Sequence, residues 1–458
     1  MIIKKYNLLV LIFLLLFWLS FWFSINTKPD EIDFSLNHDI ISIINTLRIS
    51  VPLLLSIIAI PFIFFFLFKK KKIFEVKLII NPLFLFLIYF VLQSIGLYFN
   101  TYLNFSDLNN SYLLILGIGS LQVIFLLNIL NLNKNLYLFL YASFFFIAVS
   151  TLVLMFFTLK NKQPYDLLYL YYYIDVDQKL FEQTFPRVTG LARMMAVINL
   201  ALLASFFFII KKKIFIKVEF FFIIILSMLI WSFQSRGAIL CFTACTLVLI
   251  FFYKEYNFKK KIIIIFFIII FPVFIFETYK FYKKNMFVKM QNNKEHLEDV
   301  NKLNENRILR SAEQGSSGRI YLWKYTIEKY DKKKIFGYGP QADRFLISKK
   351  LNEQYGNNVS NGFLYAFASG GYFALVILIL IYLKNLLSVY RLIFLEKIFQ
   401  IKYYFAEKLA TIYLLFFSIR ILFENSYALF SVDFLITLIC LAISSKYLHK
   451  KNYCKSKV

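Results

Sequence analysis

The chain has 458 residues, of which 60% are hydrophobic, 20% are aromatic and only 17% are charged. A water-soluble domain of this length needs more charge on its surface, so the composition excludes an ordinary soluble enzyme. Apolar windows of about 20 residues recur along the whole chain, which is typical of a polytopic helical membrane protein. We therefore predict an all-α fold in a single membrane domain, residues 1–458.

The formal net charge of +26 has a topological explanation. Lysines come in short blocks at the ends of apolar windows, as at Lys69–Lys72, Lys211–Lys213 and Lys259–Lys261. Such blocks are typical of cytoplasmic loops, which face anionic lipid headgroups. No nucleic-acid motif accompanies them. The charge therefore predicts the lipid bilayer as a partner and excludes nucleic acid.

Window length and charged flanks predict about twelve spans, with both termini in the cytoplasm. The first apolar run, Leu8–Phe23, follows Lys4 and Lys5 without a small-residue cleavage site, so we expect an uncleaved span. In chain order the predicted spans are residues 6–24, 49–68, 78–99, 111–131, 136–159, 191–210, 214–233, 236–253, 262–278, 360–383, 408–424 and 429–446.

Two connections are predicted to be large periplasmic loops. Residues 160–190 carry a tyrosine cluster around Tyr171, which suits a membrane interface. Residues 279–359 form the long loop, which is polar, basic and rich in turns. In its second half we predict a helical stretch, Ile320–Tyr330, and then a turn at Phe336-Gly337-Tyr338-Gly339-Pro340. A polar segment of this length in so apolar a chain is where chemistry is expected.

Charged residues inside or at the edges of the predicted spans collect on the outer side. A charge near the middle of a membrane costs a few kcal/mol, and charges kept there usually line a cavity. Three other interpretations stay open: Arg236 could reach the interface, Arg420 and Glu424 could pair along one helix, and Asp433 could simply bond to a neighbouring span. The outer set is Arg193, Arg236, Arg420, Glu424 and Asp433.

The cysteines predict no metal or disulfide framework. Cys241 and Cys245 lie one helical turn apart within a span, and Cys440 and Cys454 are isolated. Cysteines at such spacing behave as small apolar side chains. We therefore expect Cys241 and Cys245 to pack in the core.

Several short motifs resemble the O-antigen polymerase and O-antigen ligase superfamily of bacterial inner-membrane enzymes. Their order and spacing agree with that family over residues 187–383, whereas the N-terminal half is supported only by its span count. The matching pieces are Arg187-Val188-Thr189-Gly190, Ser235-Arg236-Gly237, Gly318-Arg319 with Trp323, Phe336-Gly337-Tyr338-Gly339-Pro340, and Asn361 with Leu364 and Gly370-Gly371.

The resemblance implies a GT-C-like membrane glycosyltransferase of lipopolysaccharide or related polysaccharide biosynthesis. Such an enzyme transfers a glycan from undecaprenyl pyrophosphate to a hydroxyl of an acceptor glycan at the periplasmic face, and needs no cofactor. Polymerases usually work with a chain-length regulator, which the resemblance implies as a partner. It also implies catalytic roles for Arg236, Arg319 and Asn361. The substrate-binding candidates are Arg187, Arg193, Trp323, Tyr338, Ser360, Arg420, Glu424 and Asp433.

The chemistry of these residues is consistent with a pyrophosphate leaving group. Arginine stays charged and can hold phosphate oxygens with two parallel hydrogen bonds. We therefore predict that Arg236 and Arg319 bind the pyrophosphate and stabilise its departing charge.

Ser360 is the main departure from the family pattern. Ligases usually carry a histidine directly before the asparagine that here is Asn361, and serine cannot replace a general base. We therefore favour a polymerase, which extends another lipid-linked repeat unit, over a ligase, which transfers to the lipid A core or to protein. If a base is required, Glu424 or Asp433 is the best-placed carboxylate.

Two other classes of function remain. Asp175-Val176-Asp177 and Glu31-Ile32-Asp33 lie in outer loops and could hold a divalent metal in a transferase that uses polyprenyl-phosphate sugars. A flippase or transporter would also fit about twelve spans. However, transporter sites lie near the bilayer midplane between repeats, and here the charges lie to one side without repeat symmetry.

Overall fold

The structure, a computed structural model, describes residues 82–99, 188–209, 213–232, 235–278, 319–330, 335–340, 343, 359–401, 404–428 and 432–455. Within these ranges the chain is helical and contains no strand. The predicted spans 6–24, 49–68, 111–131 and 136–159 lie outside the described residues. Most of the 160–190 loop and the first half of the 279–359 loop also lie outside them, so the total number of spans stays a prediction.

The described part of the chain forms nine α-helices. Two of them continue through a π-helical turn, Phe266–Ile270 in α5 and Arg391–Leu395 after α7, and a short 3₁₀ turn follows at Ile398–Gln400. The helices are α1 Pro82–Phe99, α2 Val188–Phe208, α3 Lys213–Ser232, α4 Arg236–Phe252, α5 Phe258–Thr278, α6 Arg319–Lys329, α7 Gly362–Tyr390, α8 Phe405–Arg420 and α9 Val432–Lys455.

Three of these segments are long and apolar enough to cross a membrane: Ile214–Trp231, Phe258–Thr278 and Gly362–Leu395. Shorter apolar helices, such as Ala192–Phe208 and Arg236–Phe252, accompany them. Because lipid offers no partner for peptide groups, helices that bond internally are the expected solution for such sequences. These are the helices of an integral membrane protein.

The helices pack with their ends in two groups. At one end, the Gly362 N–H donates to the Ile421 carbonyl at 2.9 Å, and a Cβ placed on Gly237 would lie 3.8 Å from Phe423. We call this the loop end. At the other end, the ring of Phe252 lies 5.0 Å from that of Phe394. We call this the lysine end, after residues 254–261. Thus α4 and α7 begin at the loop end, where α8 ends.

The interior between the helices is filled by apolar side chains. α7 packs along α1, α8 along α9, α2 along α3, and α4 contacts both α2 and α8. Cys241 and Cys245 are buried in this core, and the Cys245 Sγ lies 3.8 Å from the Ile412 carbonyl oxygen. The prediction that these two cysteines pack in the core is confirmed.

The lysine end is closed by aromatic rings. The Lys408 ammonium lies 4.1 Å from the centre of the Phe208 ring, which stacks on Phe399. In the connection between α4 and α5, the Tyr253 hydroxyl donates to the Glu255 carboxylate at 2.5 Å. Burial and that neighbouring carboxylate both raise the pKa of Tyr253. These contacts hold the helix ends together opposite the loop end.

The helix α7 bends back on itself at Gly371. This residue has φ +71° and ψ −162°, a conformation that is essentially restricted to glycine. The ring of Phe363 therefore lies only 5.2 Å from that of Tyr382, although a straight helix would separate them by about 28 Å. The predicted span 360–383 therefore contains a reversal of direction that its hydropathy did not indicate. A short arm, residues 362–370, leads instead to a long one, residues 372–395, which at about 36 Å is long enough to cross a membrane.

The predicted glycine-rich turn packs against this bend. The backbone N–H groups of Tyr338 and Gly339 donate to the carbonyls of Ala368 and Ser369, at 2.9 and 2.8 Å. Gly96 of α1 is part of the same contact, since a Cβ there would overlap the Phe336 carbonyl oxygen. The turn therefore joins the second half of the long loop to α1 and α7.

We expect Gly371→Ala to destabilise the protein strongly. A methyl group there would overlap the Ile335 carbonyl, and the strained backbone alone costs about 1–3 kcal/mol for a non-glycine residue. Gly237→Ala is the matched control, because that glycine is helical and its nearest neighbour is 3.8 Å away. It should be neutral or stabilising by about 0.5–1 kcal/mol. Thermal unfolding in detergent measures both changes, and equal midpoints for the two variants would contradict the proposed bend.

Candidate functional site

Three charged side chains form a buried cluster at the loop end. The Arg420 Nε of α8 donates to the Asp433 Oδ2 of α9 at 2.9 Å. The Arg193 Nη1 of α2 lies 3.1 Å from the other Asp433 oxygen. The side chain of Asp433 is 2% exposed, and those of Arg193 and Arg420 are 15% and 5% exposed. Two guanidinium groups thus share one carboxylate, which leaves the cluster with a net positive charge.

This cluster settles one interpretation left open by the sequence. Arg420 and Glu424 do not pair along one helix, because α8 ends at Arg420 and the chain then turns. The guanidinium of Arg420 pairs with Asp433, and Glu424 reaches a different arginine. Asp433 does bond to neighbouring helices, as one alternative expected.

Arg319, the first residue of α6, pairs with Glu424. Its Nη2 donates to the Glu424 Oε1 at 3.2 Å, and the two side chains are 28% and 21% exposed. This contact attaches the helix of the long loop to the turn that follows α8. Because both groups are partly exposed, a ligand can reach them, unlike the buried cluster around Asp433.

Arg236 lies at the same end. It is the first residue of α4 and is exposed, and it pairs with none of the residues that the structure describes. Its neighbour Gly237 adjoins Phe423, one residue before Glu424. The N-terminus of α4 adds partial positive charge there, which also favours an anion.

A corner of backbone precedes α7, and its polar groups are tied to the turn after α8. We define this Asn361 corner as residues 359–362. The Asn361 Oδ1 caps α7 by accepting from the Phe363 and Leu364 N–H groups at 2.9 and 3.1 Å. Its Nδ2 donates to the Leu422 carbonyl at 3.2 Å. Ser360, with φ +47°, is held in the left-handed region.

Two residues that the sequence did not mark complete the corner. The Asp343 carboxylate is 1% exposed, and its Oδ2 accepts from the Val359 N–H at 3.2 Å and from the Asn425 Nδ2 at 3.0 Å. The Asn425 Oδ1 in turn accepts from the Asn361 N–H at 2.9 Å. Asp343 and Asn425 are ordinary polar residues in polar segments, so no pattern singled them out. The only signal was their closeness in sequence to the glycine-rich turn and to Glu424.

The aromatic candidates have structural contacts. The Trp323 Nε1 donates to the Val359 carbonyl at 2.7 Å, which fastens α6 to the Asn361 corner. Tyr338 is buried, and its ring lies 5.5 Å from that of Tyr330, edge to face. This packing fits a residue that holds the glycine-rich turn better than one that contacts substrate.

Most of the predicted site residues thus meet at the loop end. Arg187 lies outside the described residues, as do the two acidic pairs considered for a metal. Among the described residues there is no cluster of three or more His, Cys, Asp or Glu side chains that could hold a metal. The residues that the fold brings to this end are Arg193, Arg236, Arg319, Trp323, Ser360, Asn361, Arg420, Glu424 and Asp433.

The electrostatic balance at this end favours an anionic ligand. Among the site residues named above, four arginines are set against three carboxylates, and one of those carboxylates, Asp343, accepts only from uncharged groups in its described hydrogen bonds. The buried Arg193–Asp433–Arg420 cluster carries a net positive charge. The partly exposed Arg319–Glu424 ion pair and the exposed Arg236 lie at the same end. Charge in a poorly hydrated setting acts more strongly than in water. The arrangement can therefore bind a phosphate group and stabilise negative charge as it develops there.

Comparison with known proteins identifies a family for the same region. Residues 220–379 match the model of a family described as O-Antigen ligase. The matched segment runs from within α3 into α7, and it contains Arg236, Arg319 and the Asn361 corner. A comparison with curated proteins gave no match. The family match confirms the predicted resemblance of the chain to the O-antigen polymerase and ligase superfamily.

Proposed function

We propose that the protein is a polymerase of O-antigen or a related surface polysaccharide, which acts at the periplasmic face of the bacterial inner membrane. The observation that carries the proposal is the excess of arginine among the site residues at the loop end, where exposed Arg236 and the Arg319–Glu424 pair both lie. The match to the O-Antigen ligase family supports the same general chemistry.

In the proposed reaction, the acceptor hydroxyl oxygen bonds to the anomeric carbon of the donor glycan. The bond between that carbon and the pyrophosphate oxygen breaks, and undecaprenyl pyrophosphate leaves with the electron pair. Arg319 and Arg236, which we call the clamp, bind the pyrophosphate and stabilise the charge that develops on it. The buried Arg193–Asp433–Arg420 cluster contributes its field from behind and holds α2, α8 and α9 in place.

The hydroxyl proton needs an acceptor, and Glu424 suits this role better than Asp433. Asp433 is 2% exposed and is engaged by two arginines. Glu424 is partly exposed and uses one oxygen toward Arg319. When the pyrophosphate takes over Arg319, Glu424 is released beside the reacting groups. We therefore assign proton transfer to Glu424 and a positioning role to Asp433.

Ser360 favours polymerase over ligase. It occupies the place where ligases carry histidine, at a corner whose position is set by Asn361 and Asn425. The second candidate is a ligase, which the description of the matching family favours.

Deletion of the gene in its source organism distinguishes the two. For a polymerase we expect single repeat units, still attached to the surface lipid, because ligation itself is intact. Complementation with the wild-type chain should restore the long polymer. Loss of all attached units, with long polymer retained on the carrier lipid, would identify a ligase. Transfer that requires Mn²⁺ or Mg²⁺ in purified membranes would instead support the metal-dependent alternative.

A further inference from the structure

We propose that Asp343 is a positioning residue for the transfer reaction, acting through Asn425 on the Asn361 corner. The inference rests on the proposed function, since it concerns the geometry of that site. The hydrogen bonds described for the Asp343 side chain join it to Val359 and Asn425. Its effect is to fix where the corner and the Glu424 turn lie relative to each other.

One carboxylate connects three distant parts of the chain. The Asp343 Oδ2 accepts from the Val359 N–H at 3.2 Å and from the Asn425 Nδ2 at 3.0 Å. The Asn425 Oδ1 accepts from the Asn361 N–H at 2.9 Å. Because the carboxylate is 1% exposed, water cannot easily replace these bonds when one partner is lost.

These bonds belong to a closed ring that includes one arginine of the clamp. Val359 accepts from the Trp323 Nε1 at 2.7 Å, and Trp323 belongs to α6, which begins at Arg319. Arg319 pairs with Glu424, the neighbour of Asn425. The ring therefore runs from Arg319 through Glu424, Asn425, Asp343 and Val359 back to α6. A ring constrains Arg319 from two sides, which a single contact cannot do.

The ring also holds Ser360 in an unusual conformation. Its φ of +47° is uncommon for serine and persists only where neighbouring contacts impose it. The N–H groups on both sides, of Val359 and Asn361, are fixed by Asp343 and Asn425. Without the carboxylate, residue 360 is free to return to an ordinary extended conformation, which displaces the corner from Arg319.

Swapping the side chains of Asp343 and Asn425 tests this inference. Asp343→Asn keeps an oxygen that can accept from both donors, so transfer should be retained. Asn425→Asp sets two carboxylates about 3 Å apart without the amide donor, and transfer should fall on the order of 100-fold, as for a misplacement of about 1 Å. In the double variant Asp343→Asn/Asn425→Asp, the amide at position 343 can donate to the carboxylate at position 425, which restores that bond in the opposite direction. The oxygen that accepted from both donors is then replaced by a nitrogen, so the Val359 N–H loses its acceptor and only part of the transfer should return.

Hydrogen exchange of the 359–365 backbone provides a second measurement that does not depend on the reaction. We expect faster exchange in Asn425→Asp and Asp343→Ala, intermediate rates in the double variant, and rates near wild type in Asp343→Asn. Agreement between exchange and transfer across the four variants supports the proposal.

Three results would overturn it. An inactive Asp343→Asn with normal exchange would mean that the carboxylate itself takes part in the chemistry. Normal transfer in Asp343→Ala, or altered exchange without altered transfer, would mean that the ring does not set the site. If Arg319→Ala leaves the glycan long while hydrogen-exchange rates change as expected in the variants at positions 343 and 425, the proposed function fails and the ring geometry stands.

Discussion

Replacing Arg319 with alanine should abolish long-chain glycan while the protein remains in the membrane. Its guanidinium is partly exposed and lies 3.2 Å from Glu424, at the end where Arg236 is exposed and has no partner among the described residues. Loss of a group that stabilises a leaving anion costs about 100- to 1000-fold in rate. Gel analysis of surface glycan in a complemented deletion strain measures chain length, and immunoblotting of membranes measures protein level. Arg236→Ala should behave in the same way.

Two further substitutions make the Arg319 result specific. Arg319→Lys keeps the charge but loses the planar fork, so it should restore only part of the activity. Lys324→Ala is the matched control, because it removes a positive charge from the same helix at a site that is 74% exposed and pairs with Glu328. It should leave the glycan unchanged. Normal chain length in Arg319→Ala, or an equal loss in Lys324→Ala, would remove the basis of the clamp.

Replacing Asp433 with alanine should have the largest effect on stability. It leaves the buried guanidinium groups of Arg193 and Arg420 without their shared carboxylate. Breaking a buried ion pair from one side costs about 3–5 kcal/mol. The midpoint of thermal unfolding in detergent should fall, and less protein should accumulate in the membrane. As the control, Glu328→Gln disrupts the exposed pair with Lys324 and should change stability by at most about 1 kcal/mol.

A triple variant separates the stability of this cluster from its function. Replacing a whole buried ion cluster by apolar residues of similar size is often neutral for stability. Arg193→Met/Arg420→Met/Asp433→Leu should therefore recover much of the stability lost in Asp433→Ala but remain inactive, because the positive field is gone. Recovery of both stability and activity would show that the buried charge serves the fold alone. An unchanged unfolding midpoint in Asp433→Ala would contradict the pairing itself.

The helices were largely predictable, because in lipid a span is defined by its length and its lack of charge. The predicted span 236–253 corresponds to α4, Arg236–Phe252, and the predicted stretch Ile320–Tyr330 corresponds to α6, Arg319–Lys329. The bend at Gly371 was not predictable in the same way. Hydropathy runs unbroken through residues 362–395, and only the φ of +71° and the overlap with Ile335 reveal the reversal.

The same contrast holds for the site. Arg193, Arg236, Arg420 and Asp433 drew attention because a charge in an apolar window is costly and needs a reason. The sequence did not indicate which of these charges pair, and the alternative that Arg420 and Glu424 pair along one helix does not hold, because α8 ends at Arg420. Asp343 had no such signal in the sequence. A polar residue in a polar loop carries no desolvation penalty, and the penalty appears only when the fold buries the residue.

The sequence by itself therefore determined that this is a membrane protein and gave the order of its described helices, and it predicted the chemical type of its site. Those properties follow from composition and from local spacing. Only the tertiary structure decided which charges neutralise each other, which arginines remain available and how the long loop is fastened to the bundle. The reason is physical: an ion pair such as Arg319–Glu424 joins residues 105 positions apart, and no local rule relates them.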